Sequence, residues 1–516
     1  MEHLSGLDAS FLHLETPETP MHVGSLMLID LPEGYDGDFY DDFKAMIGKR
    51  IHLSRAMTRK LATMPFELAE PVWIEDDDID LDYHVRSLNV RKPGSMAQVE
   101  QLVARLHSSL LDRSRPLWEI YIIEGVANGQ VGLYTKFHHS GVDGKSGAEL
   151  AKVLYDSSPE IRDVPPPTRR RAGGAYQLGV NELLRAAIEN SAMQYRKLGN
   201  LLPDAAKALS GGARAFASNY NPPGGRPLPL GAAPRTIFNV PITNQRTYAT
   251  LSLPMDEVKA LGKRVGGTIN TIVMAMCSGA VRGFLAERGQ LPAASIIALV
   301  PVSLRAADDD SPNNQVTMIR VDLATDIKDL AERLRIIHAS SEAGKAMVRE
   351  LKPVLGVDVP VMGAPWLLSG MASFAGRSNL AGQLPPMGNV VISNVPGPPT
   401  PLYVAGARMA HYIPVSIPYH GAAVNLTVQS YAGRLEIGVT ACRRVLSQDE
   451  AHELIKRGVA TLREIAELPP LAAAAAEPPA ATPPVRKPAA TAASEASPAK
   501  RPKARRDSAP APTVQS

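Results

Sequence analysis

Cysteine is nearly missing from this chain: Cys277 and Cys442 are the two in 516 residues, far apart and with no CxxC partner. That excludes a disulfide framework and a thiolate zinc site, and makes a reducing cytosol the expected setting. An excess of one charge is lacking too. The 55 basic residues nearly cancel the 52 acidic ones, and most of the surplus lies in the C-terminal tail, so the body has no nucleic-acid footprint. The N-terminus, "MEHLSGLDASFLHLETPE", has neither a basic n-region nor an apolar h-region, and no later apolar run is expected to reach the roughly 20 residues of a membrane span. Membrane contact is therefore expected to be peripheral. Phosphate-binding and serine-hydrolase signatures are absent as well. Gly144, Lys145 and Ser146 imitate the end of a Walker A loop, but His139 stands where that motif needs glycine. No G-x-G-x-x-G follows a strand pattern and no G-x-S-x-G elbow occurs.

What is present is enough apolar material, 45% of residues, for more than one core. From Pro469 the chain turns to Ala, Pro, Ser, Thr and Lys/Arg without periodicity, and such a segment cannot offset its ordering entropy. Residues 469–516 are expected to be disordered, with Lys500 to Arg506 a solvated basic cluster or a contact for anionic lipid or nucleic acid. Just before the tail, Ser447 and Glu450 form a capping-box pattern ahead of Leu454, Ile455, Leu462 and Ile465, so a helix is predicted to close the body at Leu468. "SSPEIRDVPPPTRRRAGG" from Ser157 reads as a linker. After it, Leu184, Ile188, Tyr195, Leu198 and Leu202 lay an apolar stripe on a helix, either packed on the body or lying on a membrane surface. The expected division is an N-terminal lobe 1–160, a linker with this helix 161–234, and a C-terminal lobe 235–468. Both lobes mix β-branched runs ("VGLYTKF", "SIIALVPVS", "NVVIS") with helical patterns ("MAQVEQLVARLHSSLL", "MDEVKALGKRV"), an α/β signal.

The densest chemistry lies in "FHHSGVDGKSG", residues 137–147. His138, His139 and Asp143 are all competent metal ligands, but adjacent histidines on a strand face opposite ways and do not ordinarily share one ion. Proton transfer uses the same geometry better. One histidine goes to the core and the other to the open side, Gly141 and Gly144 permit a sharp turn, and Asp143 holds that turn. An imidazole is ready to take a proton near neutral pH.

These residues resemble the bacterial wax ester synthase/diacylglycerol acyltransferases, with their HHxxxDG motif, within the CoA-dependent acyltransferase superfamily. The likeness runs in order over about residues 4–467. It includes "LSGLDASFLHLETPETPMHVGSL", Pro116, Leu117 and Trp118, then "HHSGVDG", "VPVSLR" ending at Arg305, and "ISNVPGP" with Asn394, Pro396 and Gly397. Two places depart from the family pattern. Asn270-Thr271 stands for an Asn-Asp pair, and Asn313-Asn314 for a Gly-Asn pair.

The resemblance implies a chloramphenicol acetyltransferase-like fold of two α/β lobes with a tunnel between them. It implies His139 as the general base for direct transfer from acyl-CoA to a hydroxyl, with His138 in support and Asp143 and Gly144 shaping the loop. Arg305 is a candidate to pair with Asp143 across the lobes. Asn270 is a candidate for oxyanion or substrate hydrogen bonding, or simply a helix N-cap. Pro116, Leu117 and Trp118 are expected to shape the apolar wall, and Asn394, Pro396 and Gly397 a turn that is structural or lines the channel. Expected partners are long-chain acyl-CoA as substrate and diacylglycerol or a fatty alcohol as acceptor, with no bound cofactor and no metal. The expected location is cytoplasmic, at the inner face of the plasma membrane or on lipid droplets. A different acceptor, or a catalytically quiet lipid-binding protein, is the alternative.

Overall fold

The computed structural model describes residues 2–62, 71–142, 144–167, 220–223, 225–304, 316–355 and 384–469. Asp143, the 184–202 stripe, Arg305, Asn313, Asn314 and the tail from 470 lie outside the described residues. The N-terminal part runs β1 (Glu2–His3), α1 (Gly6–Leu14), β2 (His22–Asp30), α2 (Phe39–Arg50), α3 (Arg55–Thr58), β3 (Arg59–Ala62), β4 (Val72–Glu75), α4 (Leu81–His84), β5 (Val85–Asn89), α5 (Met96–His107), β6 (Trp118–Glu124), β7 (Val131–His138) and α6 (Gly144–Leu154). After the linker come β8 (Arg246–Pro254), α7 (Met255–Arg264), α8 (Ile269–Glu287), β9 (Ile297–Ser303), β10 (Val316–Asp322), α9 (Leu330–Leu355), β11 (Val390–Val395), β12 (Tyr403–Val404), β13 (Ala407–Val415), β14 (Val424–Tyr431), β15 (Arg434–Cys442) and α10 (Gln448–Glu467).

Two six-stranded mixed sheets carry the fold, ordered β12-β13-β2-β7-β6-β5 and β10-β9-β11-β14-β15-β8, and β1-β4-β3 forms a small third sheet. β7 is buried at every position, including its polar residues Thr135, Lys136 and His138. One face of the first sheet packs Met27, Ile29, Trp118, Ile120 and Leu133 against α2 and α6. The other packs Leu26, Leu28, Tyr121 and Tyr134 against Val99 and Val103 of α5. In the second sheet, Ala298, Ile392, Leu426 and Val439 face α8 and α10. The predicted capping box is formed: the Ser447 side chain accepts the Glu450 N–H, and the Glu450 carboxylate accepts the Ser447 N–H at 2.9 Å.

Two expectations need correction. α8 has the length and apolarity of a membrane span, against the expectation that no run approaches it. It is a core helix, with Ile272, Val273, Met276, Val281 and Leu285 packed in the second lobe. The lobes are also not contiguous in sequence. β13 pairs with β2 from Arg408↔Asp30 to Val415↔Gly24, so residues 403–415 complete the first sheet before the chain returns through 416–423 to β14. The seam is close: a Cβ on Gly438 of β15 would lie 1.9 Å from the Pro414 carbonyl oxygen, so only glycine fits.

Candidate active site

β7 ends at His138, whose neighbour across β2 is His22. His138 is the buried member of the pair. Its N–H donates to the Leu117 carbonyl at 3.0 Å, and its Nδ1 accepts the Ser140 N–H at 3.1 Å. A neutral His138 ring therefore carries its proton on Nε2, which lies 3.3 Å from Glu15 Oε1. His139 sits one residue beyond the strand, in the turn closed by the Gly141 N–H donating to the His138 carbonyl. Its own N–H donates to the Met21 carbonyl at 2.8 Å, and its ring stacks on Phe11 at 4.2 Å and 12°.

Glu15, at the C-terminal end of α1, ties these groups together. Oε1 accepts the Met21 N–H at 2.9 Å, and Oε2 accepts Arg113 Nη2 at 2.9 Å and Nε at 3.2 Å. Burial alone raises a carboxyl pKa, but His138, Arg113 and the Met21 N–H outweigh it and hold Glu15 at about 2. The carboxylate thus braces both histidines, one through its ring and the other through Met21.

A second layer of histidines lies below. His22 Nε2 donates to the His107 carbonyl at 2.8 Å, and His107 Nε2 donates to the Ser416 carbonyl at 2.9 Å, with Nδ1 accepting Tyr134 OH at 2.7 Å. Burial pushes His107 down to about 3 and His22 well below the ordinary imidazole range. These contacts bring the 416–423 crossover beside the histidine strand.

Leu117 and Pro116 are buried, and Trp118 donates Nε1–H to the Met57 carbonyl at 3.0 Å and stacks on His84. The Pro-Leu-Trp segment is a prop under β7, with Leu117 packed on Leu12 of α1. Asn270 is not the N-cap. That position belongs to Thr268, whose side chain accepts the Thr271 N–H, because the two threonines form a reciprocal box that leaves Asn270 in the first turn. Asn270 Nδ2 reaches Ser341 Oγ at 3.3 Å, and Thr271 Oγ1 contacts His338 Nδ1 at 3.0 Å. The Thr271 hydroxyl also takes the Thr268 N–H at 3.2 Å, the bond an aspartate there would accept. Asn394 and Pro396 are exposed, at the end of β11 that pairs with Val428 and Gln429, the far end of β14 from the crossover. The Gly397 N–H donates to Ser430 Oγ, and a Cβ there would lie 2.2 Å from the Ser430 carbonyl oxygen. Gly144 begins α6, and Asp143 before it is outside the described residues. Among the described residues no cluster of histidine, cysteine or carboxylate groups is arranged to hold a metal.

Two α/β lobes joined by a strand crossover, with a histidine pair at the end of a central strand of the first, define a two-lobed acyltransferase fold. The match to solved structures agrees: the wax ester synthase/diacylglycerol acyltransferase from Marinobacter aquaeolei VT8 superposes with a TM-score of 0.63 at 31% identity, over 91% of this chain and 100% of that one. The first condensation domain of the calcium-dependent antibiotic synthetase shares the fold at 15% identity, with a TM-score of 0.54 over 91% of this chain and 97% of its own. The wax ester synthase/diacylglycerol acyltransferase catalytic domain matches residues 4–273, and the WS/DGAT C-terminal domain matches 313–466. The chain belongs to this family, and it is an O-acyltransferase. The Mycobacterium tuberculosis (strain ATCC 25618 / H37Rv) protein described as "Probable diacyglycerol O-acyltransferase tgs2" is 36% identical over 445 residues, 85% of this chain and 93% of its own length.

Proposed function

We propose that the chain transfers a long-chain acyl group from acyl-CoA to the free hydroxyl of diacylglycerol, forming triacylglycerol, with His139 as general base. The supporting observation is the hold on His139: its amide on Met21, its ring against Phe11, and a neighbouring histidine fixed by Glu15. The imidazole takes the acceptor's hydroxyl proton as the oxygen attacks the thioester carbonyl. The tetrahedral oxyanion then collapses, the C–S bond breaks, and the proton passes to the departing CoA thiolate. Positioned general-base catalysis supplies about 10²–10⁴-fold, and alignment of the two substrates and oxyanion stabilisation supply the rest. The relatives' names support diacylglycerol as acceptor, and the Marinobacter protein's name supports fatty alcohols as a second acceptor class. CoA arrives with the substrate, and no resident cofactor enters the reaction. Because both lipid substrates partition into lipid, the enzyme is proposed to act in the cytoplasm while bound peripherally to the plasma membrane's inner face or to lipid droplets.

The test supplies palmitoyl-CoA with dipalmitoylglycerol or hexadecanol to wild type and His139→Ala, following thiol release and neutral lipid. Ester formation that falls at least 10²-fold in the variant is expected. Full activity without His139 would remove it as the base, and product from hexadecanol alone would make the enzyme a wax ester synthase. Co-flotation of the wild type with droplets or vesicles tests the location, and its absence would overturn the peripheral assignment.

A further inference from the structure

Arg246 opens β8 in the second lobe and is 5% exposed. Its guanidinium forms no ion pair with a carboxylate among the described residues. All its acceptors are backbone carbonyls: Nη1 donates to Thr243 and, at 3.4 Å, to Gln245, and Nη2 donates to Glu18 at 2.7 Å. Burying a guanidinium without a counter-charge is costly, and burial brings this one down to about 10. For stability alone, an apolar side chain at this place would serve better.

What the side chain reaches explains it. Glu18 lies at the tip of a tight hairpin, closed by mutual Thr16 and Thr19 backbone bonds of 3.3 and 2.9 Å, with the Thr19 N–H also reaching Thr16 Oγ1. Glu15 stands at its entry and Met21 follows its exit. The first lobe grips the base of this hairpin through the Glu15 carboxylate on the Met21 N–H. The second lobe grips its tip through Arg246. Met21 in turn offers its carbonyl to the His139 N–H. Arg246 is also well fixed on its own side. It pairs in register with Cys442 of β15, and the neighbouring Ile242 N–H donates to His420 Nδ1 of the crossover.

We propose that Arg246 is a positioning residue for the transfer reaction: by holding the Glu18 carbonyl, it fixes from the second lobe the hairpin on which the His139 backbone hangs. It touches neither acyl-CoA nor acceptor, and it sets how closely the imidazole is aimed between the two lobes. This inference rests on His139 as the base. A displacement of the base by about an ångström costs on the order of 10²-fold in rate, so the effect belongs in kcat rather than in KM.

The experiment uses the full chain with Arg246→Gln and Arg246→Lys, measured with palmitoyl-CoA and dipalmitoylglycerol, beside His139→Ala. Arg246→Gln is expected to lower kcat about 10- to 100-fold with KM for both substrates within about threefold, and Arg246→Lys to recover part of the loss, since an ammonium keeps a charged donor for one carbonyl but not the fork. Hydrogen exchange is expected to rise in peptides covering residues 14–24 and 134–142 while β13 to β15 stay protected. A merely structural role would loosen the second sheet first. Unchanged kcat in either variant overturns the proposal. So does a rise in KM for acyl-CoA at constant kcat, which would make Arg246 a substrate contact. Should Arg246→Gln fail to fold, Arg246→Lys decides by the same split. Activity surviving in His139→Ala would fault the assignment of the base instead, and the exchange pattern would still report whether Arg246 holds the hairpin.

Discussion

Glu15 has a 2% exposed side chain, accepts from Met21 and Arg113, and lies 3.3 Å from His138 Nε2, so its charge is met from three directions. A Glu15→Gln change keeps the shape and removes the charge, leaving Arg113 without its anion while the amide oxygen still takes the Met21 N–H. Stability at pH 7 should fall by about 1–3 kcal/mol in urea unfolding, and kcat should fall by more than KM rises. An unchanged midpoint would mean the carboxylate is not braced as described. The acid limb carries the same signature. With its native value near 2, below the ordinary 4.5, Glu15 contributes stability above about pH 4.5 that is lost as pH falls toward 2, and the variant should lack that component. That one of His138 and His139 is buried and the other more open was legible in the sequence, but not its cause: β7 ends at His138, and His139 turns away in the loop that follows rather than by strand alternation. Glu15 was not legible. Its partners Arg113 and His138 are about a hundred residues away, and nothing in "LHLETPETP" distinguishes a brace from a surface carboxylate.

Elements with their own start signals were read well: α10 begins at its capping box, and α5 and α7 fall on their apolar periodicity. Of the two readings open for Asn270, the N-cap of α8 falls two residues late, because Asn270 and Thr268 are both good caps and only the Thr268–Thr271 reciprocal bond decides between them. Ties between elements left no sequence trace. The last residue of α2, Arg50, is 1% exposed and donates to the Leu154 carbonyl at 2.7 Å and to Asp156 at 2.8 Å, clamping the end of α6 where Asp156 bridges to Tyr403. Arg50→Ala leaves the buried Asp156 carboxylate with only the more distant Arg162, 3.8 Å away, and should cost about 3 kcal/mol, whereas Arg50→Met with Asp156→Leu should recover most of that loss. A double-mutant cycle by urea unfolding measures the coupling, and additive losses would show that the pair is not interacting.

Over the whole molecule, composition and linkers showed two α/β lobes but not how they interlock, since pairing β13 with β2 joins residues nearly four hundred positions apart. The interlock makes the seam, not either sheet, the place where solution conditions act. His22 and His107 hang the 416–423 crossover from the first lobe and are neutral in the fold, with burial holding both below the ordinary value of 6.5. The unfolded chain therefore binds their protons first. Their contribution is complete above about pH 6.5 and declines as pH falls from there toward the folded values. Each group costs about 1.4 kcal/mol per pH unit in that window, so the pair should remove about 3 kcal/mol between pH 7.5 and 5.5. Burial shifts His84 and His420 the same way, while His452, whose Nε2 donates to Glu100, shifts upward and offsets part of the loss. Urea unfolding across this range should show stability falling with pH, and His107→Gln, which keeps a donor for the Ser416 carbonyl but cannot be protonated, should flatten the slope. A wild type equally stable at pH 7.5 and 5.5, or a His107→Gln variant with an undiminished slope, would show that the seam opens to protons without unfolding.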